Sequence, residues 1–354
     1  MEKQYNHIYP WLHIKKWAAF DGKIFNKSKK QSHRIKLRRE KNSTFTIKYY
    51  YSLGEPNDEL ENRIELFEVY IGDLIKKIDE AESSILLNRK EIELLKLYVA
   101  LCACRQHNTT EVIKDDQSKV YRSNNYGIGV PRVATQKDAV VLTNMIIDDF
   151  ERIKKLPDNK VCGSLDAIYN AEQSSVFTRG QHLCIFRSET SKICVSNVCS
   201  IIENTMDSDY LYCYTPISPR TALLLVKSEY YYDKETFEYT KIRFGATYGG
   251  HGPIDSHISE ILGRYNEFDS ESELFCSYRE SFLKDCSESV CTSREQDKAA
   301  VKISNIPDFL IQLFNSIFYE DGDEFIYLKD EELEFAQKYS LNCRKIIVVN
   351  NEFA

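Results

Sequence analysis

Long apolar runs are missing from this sequence of 354 residues. No stretch approaches the ~18 consecutive apolar residues that a membrane-spanning helix needs. The opening ten residues, MEKQYNHIYP, also contain no apolar core of signal-peptide type. These absences predict a protein that does not enter a membrane and that stays in the cytoplasm. The hydrophobic fraction of 42% is still enough for a sizeable core.

Several enzyme and cofactor motifs are absent too. The sequence has no Gly-x-Gly-x-x-Gly, no His-Glu-x-x-His and no Gly-x-Ser-x-Gly around Ser218. Its eleven cysteines form no paired Cys-x-x-Cys knuckles, which argues against a zinc site and against a disulfide framework. Scattered, unpaired cysteines are typical of reduced thiols in a cytoplasm.

Charge is unevenly distributed along the chain. The formal net charge is −7, yet residues 1–50 carry 13 basic and 3 acidic residues. Between Lys23 and Lys48 there are ten basic residues and one acid, whereas residues 320–334 hold eight acids and one lysine. A basic segment on an acidic body can bind nucleic acid, or it can dock on an acidic partner or on its own body.

Hydrophobic periodicity predicts an α+β fold. Residues 33–39 and 45–51 alternate as strands and predict a basic N-terminal β-hairpin. Period-3.6 patterns predict helices over about 57–82, from Asn88 to about Gln106, and from Thr135 to before Pro157, the first two forming an antiparallel helical hairpin. Strand patterns then predict a central antiparallel or mixed sheet, followed by C-terminal helices about residues 254–285 and from Ile306. The order strands, helices, strands, helices favours α+β over a regular βαβ alternation.

We expect one domain over residues 1–354. A subdivision would place the hairpin and first helices in 1–156 and the sheet with the last helices in 157–354. The nearly continuous apolar run Thr221–Val226 predicts a central strand of the sheet.

A series of short motifs resembles one bacterial family, catalogued as domain of unknown function 4238. The first is Asn6-His7-Ile8-Tyr9-Pro10, which matches the family's opening His-x-x-Pro. Tyr49–Ser52 before an Ile64-Glu65 helix and Thr215–Leu224 with its Ser-Pro entry to an apolar strand follow in the family's order. The resemblance spans roughly residues 5–320 and implies the family's fold and a bacterial or phage-related setting, without implying a reaction.

One segment departs from the family pattern. Relatives often carry Ser-Asp-Asn-Pro before the central strands, whereas this chain has Arg179-Gly180-Gln181-His182. If the aspartate acts chemically in relatives, this chain has lost it at Gly180. This departure favours a binding protein over an enzyme.

The catalytic candidates are His7, Glu65 and His107. A histidine beside a fixed proline could act as general base or metal ligand, or it could pin the N-terminus to the core. Glu61 and Glu65 lie one helical turn apart, so they could hold Mg²⁺ with a histidine, or they could form a solvated acidic face. A position beside apolar Ile64 places Glu65 at the edge of the core and favours it over Glu61.

Two groups of residues are candidates for binding anions. Arg34, Lys36, Arg38 and Lys48 would project from one side of the basic hairpin and bind the phosphate backbone of DNA or RNA. The alternative is that this hairpin is a solvated edge or docks on the acidic helix that follows it. Arg243 and His251, beside a glycine-rich turn before a helix, form a weaker anion site.

Two function classes therefore stay open. In the first, the protein is an intracellular bacterial effector in phage defence that acts on DNA or RNA. The most specific version of this hypothesis is a nuclease that uses a divalent metal. In the second, it is a non-catalytic regulator, sensor or scaffold whose acidic body binds a protein partner. The residues do not decide whether it is an enzyme, nor which metal it would hold.

Overall fold

A computed structural model gives the structure of the following parts of the chain: residues 5–7, 9–18, 23–28, 34–38, 45–48, 50–53, 59–105, 128–129, 136–156, 175, 177–178, 181–190, 192–204, 210–227, 231–232, 239–240, 298–306, 308–322 and 324–337.

The helices agree closely with the sequence periodicity. The three helices predicted in the first half are all confirmed, as is the helix predicted from Ile306. Their bounds are α1 (Trp11–Ile14, continued by a 3₁₀ turn over Lys15–Trp17), α2 (Glu59–Glu80), α3 (Arg89–Cys104), α4 (Gln136–Lys155), α5 (Asp308–Asp321) and α6 (330–337).

Helices α2 and α3 form the predicted antiparallel hairpin. The Asn88 side chain accepts from the Glu91 amide at 2.8 Å, and the Glu91 carboxylate accepts from the Asn88 amide at 2.9 Å, so the two residues form a capping box where the sequence predicts the start of the helix. Lys77 contacts Glu91 at the end of α2, whereas Glu68, earlier in α2, contacts residue 105 just after α3. The helices therefore run in opposite directions, although strand β5 (Ser84–Asn88), which the sequence analysis missed, lies between them.

The central sheet is mixed, as expected. Besides β5, its strands are β6 (Ile128–Gly129), β7 (Gln181–Arg187), β9 (Ile201–Asn204), β10 (Tyr210–Pro216), β11 (Thr221–Lys227) and β14 (Lys298–Asn305). Their order is β5-β14-β7-β11-β10-β9-β6, and every pairing is antiparallel except β14 with β7. Strand β11 lies fourth of seven, which confirms the central position predicted for the run Thr221–Val226.

The prediction that residues 33–39 and 45–51 pair with each other as a hairpin is wrong. Strand β3 (Arg34–Arg38) pairs with β2 (Lys23–Ser28), whereas β4 (Thr46–Lys48) pairs with β1 (Tyr5–His7). Alternation assigns residues to the two faces of a strand but does not name the neighbouring strand. With β8 (Val195–Ser196) and β15 (Glu324–Tyr327), a four-stranded antiparallel sheet results, in the order β3-β2-β15-β8.

Two hydrophobic clusters cover opposite faces of the central sheet. Leu183 and Ile185 of β7 pack in the cluster that contains α2, α3 and α4, whereas Cys184 and Phe186 pack in the cluster that contains α5 and β15. Alternating residues of β11 divide in the same way. The first cluster also takes residues from both halves of the chain, from Tyr9 to Ile326.

Several remaining predictions fall elsewhere. The sequence also predicts strands over Ser175–Thr178 and Phe237–Phe244. Phe177 and Thr178 instead lie in a turn, and within the second range the structure describes β13 (Tyr239–Thr240), which pairs with β12 (Tyr231–Tyr232). The helix predicted over 254–285 lies outside the described residues. In the part of the chain that the structure covers, none of the helices combines the length and apolarity needed to cross a bilayer.

Two glycines give a matched test of this packing. A Cβ on Gly322 would lie 2.6 Å from the Ser196 Cβ and 2.8 Å from the Phe318 carbonyl oxygen, whereas a Cβ on Gly72 of α2 meets nothing within 4 Å. We expect Gly322→Ala to lower the free energy of unfolding by about 1–3 kcal/mol through overpacking. Gly72→Ala should raise it by about 0.5–1 kcal/mol through helix propensity. Urea unfolding of both variants measures this, and a neutral Gly322→Ala would contradict the placement of α5 against β8.

Candidate functional site

The structure places the three predicted catalytic residues differently. His7, in β1, is buried. The expectation that Glu65 lies at the edge of the core is wrong, because Glu65 is exposed and Glu61 is buried on the same helix. His107 lies outside the described residues, two positions beyond Arg105.

Arg105, directly after α3, joins the elements on which those candidates lie. Its Nη2 donates to the His7 carbonyl at 2.8 Å, its Nε to the Tyr51 hydroxyl at 2.5 Å and its Nη1 to Glu68 Oε1 at 2.5 Å. The Tyr51 hydroxyl also donates to the His7 carbonyl at 3.4 Å. Strand β1, helix α2 and the end of α3 therefore meet through Glu68, Arg105 and a backbone oxygen of His7.

This guanidinium is almost completely buried, with 1% of its side chain exposed. Burial by itself lowers the pKa of Arg105, but the neighbouring Tyr51, Glu68 and Glu61 together hold that pKa well above its ordinary value. Removing one partner of such a buried pair leaves an uncompensated charge and typically costs about 3–5 kcal/mol. The contact therefore fixes β1 firmly against the helical hairpin.

A second set of buried contacts fixes the segment that follows β1. The Tyr9 hydroxyl donates to the carbonyl of Pro216, and the Trp17 indole donates to the Ile193 carbonyl at 2.8 Å. His13 lies between them, with Nδ1 3.0 Å from the Ile217 carbonyl and Nε2 bonded to the Tyr98 hydroxyl. The N-terminal segment is thus attached both to α3 and to the turn between β10 and β11.

Desolvation determines the protonation of His13. Complete burial, helped by the positive charge of Lys16, lowers the pKa of His13 well below its ordinary value of 6.5. The neutral ring then donates from Nδ1 to the carbonyl of Ile217 and accepts at Nε2 from Tyr98. His13 is therefore a buried neutral group that positions the chain just before Lys16.

The turn between β10 and β11 is held by a serine hydroxyl. The Oγ of Ser218 accepts from the amides of Arg220 at 3.2 Å and Thr221 at 2.9 Å. Ser218 is therefore a turn residue whose hydroxyl bonds the backbone. Its own O–H is left as a donor, since both of these bonds use the oxygen as an acceptor.

A basic cleft of about 430 Å³ opens where this turn meets the N-terminal segment. Its charged side chains come from four distant places in the chain: three cations and one carboxylate, a formal balance of +2. The lining residues are Lys16, Asp79, Arg187, Ser218, Pro219, Arg220, Thr221 and Leu328.

Contacts within the cleft orient its cations. Lys16 pairs with Asp79 at 2.5 Å. Arg187 donates to the carbonyls of Ala81 at 2.5 Å and Ile78 at 2.7 Å, so it caps the C-terminus of α2, where a cation is favourable. Arg220 makes longer bonds, 3.3 Å to the carbonyl of Ser188 and 3.4 Å to that of the next residue.

The basic strands run toward this cleft. Tyr327 of β15 pairs with Phe25 of β2, so Leu328 at the cleft lies one residue beyond that pair. Lys23, two residues before Phe25, pairs with Arg38 of β3. Because neighbouring strands are about 4.8 Å apart, this end of β2 lies about one strand spacing from the strand that leads to Leu328, and β3 lies about two spacings away.

The other predicted anion-binding residues are only partly placed. Arg34 and Lys36 lie on β3 in register with Lys27 and Phe25, whereas Lys48 lies on β4 in register with Tyr5. Lys48 therefore belongs to a different sheet from the three β3 residues. Arg243 and His251 lie outside the described residues.

The described residues give little support for metal binding or for a reactive thiol. In those residues no three His, Cys, Asp or Glu side chains form a group that could hold a metal ion. The cysteines placed there are free, as the sequence suggested, and burial raises the pKa of the thiols of Cys102 and Cys213 to about 12. Such thiols remain protonated and unreactive at neutral pH.

The buried state of His13 predicts a pH-dependent stability. In the unfolded chain the imidazole has its ordinary pKa of 6.5, so below that pH the unfolded state binds a proton that the folded state refuses. The free energy of unfolding should therefore fall as the pH drops below 6.5, by up to about 1.4 kcal/mol per pH unit. Urea unfolding between pH 7.5 and 5.0 should show this slope in the native protein and a smaller one in His13→Gln. Equal slopes would contradict the buried neutral histidine.

Comparison with known proteins gives one match. The model of a family described as proteins of unknown function (DUF4238) matches residues 5–332. No curated protein and no solved structure matches the chain. The matched range contains β1, the Arg105 contacts, the turn at Ser218 and the whole basic cleft. The chain therefore belongs to the DUF4238 family of proteins of unknown function.

Proposed function

We propose that this protein binds nucleic acid, with its sugar–phosphate backbone held in the basic cleft. The observation that carries the proposal is the convergence of Lys16, Arg187 and Arg220 on one cleft. These residues come from the N-terminal segment, the end of β7 and the turn between β10 and β11. A structural ion pair needs one cation for each acid, whereas this cleft has two cations in excess.

The surrounding surface supports a polyanion rather than a small anion. Beyond the cleft, the sequences of β2 and β3 carry further basic residues, and Lys23 and Arg38 stand opposite each other in the strand register. A strand of DNA or RNA carries a regular row of phosphates, so contacts along such a path add to those in the cleft. The overall charge of −7 does not oppose this arrangement, because local charge determines binding at short range.

A salt titration tests this proposal. We expect fluorescein-labelled single-stranded DNA and RNA to bind with an affinity that falls steeply between 50 and 200 mM salt. Arg220→Gln and Lys16→Met should each weaken binding and flatten the slope of log K against log salt by about 0.7 for every phosphate that the variant no longer neutralises. Fluorescence anisotropy measures both quantities.

Lys76→Met is the matched control. Lys76 is a highly exposed lysine of α2, 75% accessible and paired only loosely with Glu80 at 3.8 Å. It lies in the same helix as Asp79 but does not line the cleft. Equal weakening by Lys76→Met and by the cleft variants would mean that binding follows net charge alone, which would contradict the proposal.

The catalytic form of the proposal places hydrolysis beside Arg105. Its candidate residues are His7, whose carbonyl bonds Arg105, with Glu65 on α2 and His107 two positions beyond Arg105 in the sequence. Glu61 lies near enough to raise the pKa of the buried Tyr51 hydroxyl, which burial already raises. The role in phage defence belongs to this catalytic form.

Cleavage assays test the catalytic form. We expect Mg²⁺-dependent cleavage of labelled RNA or DNA, suppressed by EDTA, to be lost in His7→Ala while anisotropy still reports binding. Thermal unfolding of His7→Ala must first show a folded protein. Unchanged cleavage in this variant would overturn the role of His7, and stoichiometric capture of a protein with no nucleic-acid binding would favour the regulator or scaffold instead.

A further inference from the structure

We propose that the basic cleft binds the terminal phosphate of a nucleic-acid strand, rather than any phosphate along it. This inference rests on the proposed function and names the group that the cleft selects. A terminal phosphate is a monoester, whereas the phosphates inside a strand are diesters.

The charge of the cleft matches a dianion. Lys16, Arg187 and Arg220 against Asp79 leave a formal balance of +2. A phosphate monoester carries about −1.5 to −2 at pH 7, which neutralises this balance. A diester carries a single charge and would leave one cation in the cleft without compensation.

Asp79 provides the selection between the two. Its carboxylate already occupies Lys16 at 2.5 Å, and both side chains are partly exposed, at 36% and 24%. A ligand gains a contact with Lys16 only if it replaces this carboxylate with something stronger. A monoester offers three oxygens and a second negative charge, whereas a diester offers two oxygens and the same single charge as the carboxylate.

The donors in the cleft suit a phosphate group. The guanidinium of Arg220 makes only long bonds of 3.3 and 3.4 Å to carbonyls, so it can exchange them for charge-assisted bonds to a phosphate. The Ser218 hydroxyl, held by two amides, has its proton left to donate. Arg187 is anchored on the end of α2 and contributes charge at a fixed position.

The size and lining of the cleft point to a strand end with no base readout. A volume of about 430 Å³ is in the lower part of the range for small-molecule pockets. None of the side chains that line it is aromatic, so the stacking platform that holds unpaired bases is missing from the cleft itself. Recognition here depends on the phosphate.

The experiment compares one oligonucleotide with three different ends. The same fluorescein-labelled RNA is prepared with a 5′-phosphate, with a 3′-phosphate and with hydroxyls at both ends, and its affinity is measured at constant salt. We expect the better phosphorylated form to bind about tenfold more tightly than the hydroxyl form, the effect of one additional charge-assisted contact. Arg220→Gln should reduce this ratio to about one, and Lys76→Met should leave it unchanged.

Asp79→Asn is the decisive variant. Without the internal carboxylate, a monoanionic phosphate can also use Lys16, so the hydroxyl-ended RNA should bind more tightly and the ratio should shrink. A ratio that stays the same in Asp79→Asn would overturn the selecting role of this residue.

The outcomes separate this inference from the proposed function. Equal binding of all three RNAs that still depends on Arg220 would overturn the terminal-phosphate assignment and leave nucleic-acid binding intact. If none of the RNAs binds, the proposed function itself fails. AMP or inorganic phosphate competing as well as the phosphorylated RNA would assign the cleft to a free phosphate compound and overturn the strand-end assignment.

Discussion

The buried guanidinium of Arg105 is the contact on which the rest of the site depends. It binds the His7 carbonyl, the Tyr51 hydroxyl and the Glu68 carboxylate at once, so the edge strand β1 and two helices meet at one charged group. Taking that charge out of water is costly unless its nitrogens find acceptors, and here Nε, Nη1 and Nη2 each donate to one. The arrangement is therefore favourable only when β1 is in place. The chain beyond β1 is then fixed by His13 and Trp17, which position Lys16 in the cleft.

The cleft itself is assembled from residues far apart in sequence. Lys16 and Arg220 are about two hundred residues apart, and no motif of the sequence links them. Each is positioned by a different structural cause: an anchored N-terminal segment in one case, a serine-held turn in the other. The segments that carry these residues are held rigidly, whereas the charged groups themselves are exposed. This combination suits binding of a charged ligand better than simple stabilisation of the fold.

Much of the fold could be predicted because helices and central strands depend on local patterns. The capping box at Asn88 and the apolar run of β11 were sufficient for the positions later observed. The partner of β3 could not be predicted, because strand alternation determines faces and not neighbours. The cleft could not be predicted either, because its residues are far apart in the sequence and no local pattern relates Lys16 to Arg187.

The misplaced glutamate could have been predicted from helix geometry. Ile64 is fully within the core, and residues three before and four after it share its face of the helix. Those residues are Glu61 and Glu68, both of which lie toward Arg105, whereas Glu65 is turned about 100° away. In the sequence Arg105 is a basic group at a helix end, and only its burial shows that it joins three elements. A residue next to an apolar residue in the sequence need not be near the core. A residue on the same face of the helix is.

The central claim is that nucleic acid lies in the basic cleft. Photo-crosslinking of a 4-thiouridine-substituted RNA, followed by peptide mass spectrometry, locates the bound strand directly. The account predicts crosslinks in the peptides that carry Lys16 and the turn from Ser218 to Thr221, and their loss in Arg220→Gln. Crosslinks confined to the outer faces of α2 and α4, with the cleft peptides unmodified, would contradict it.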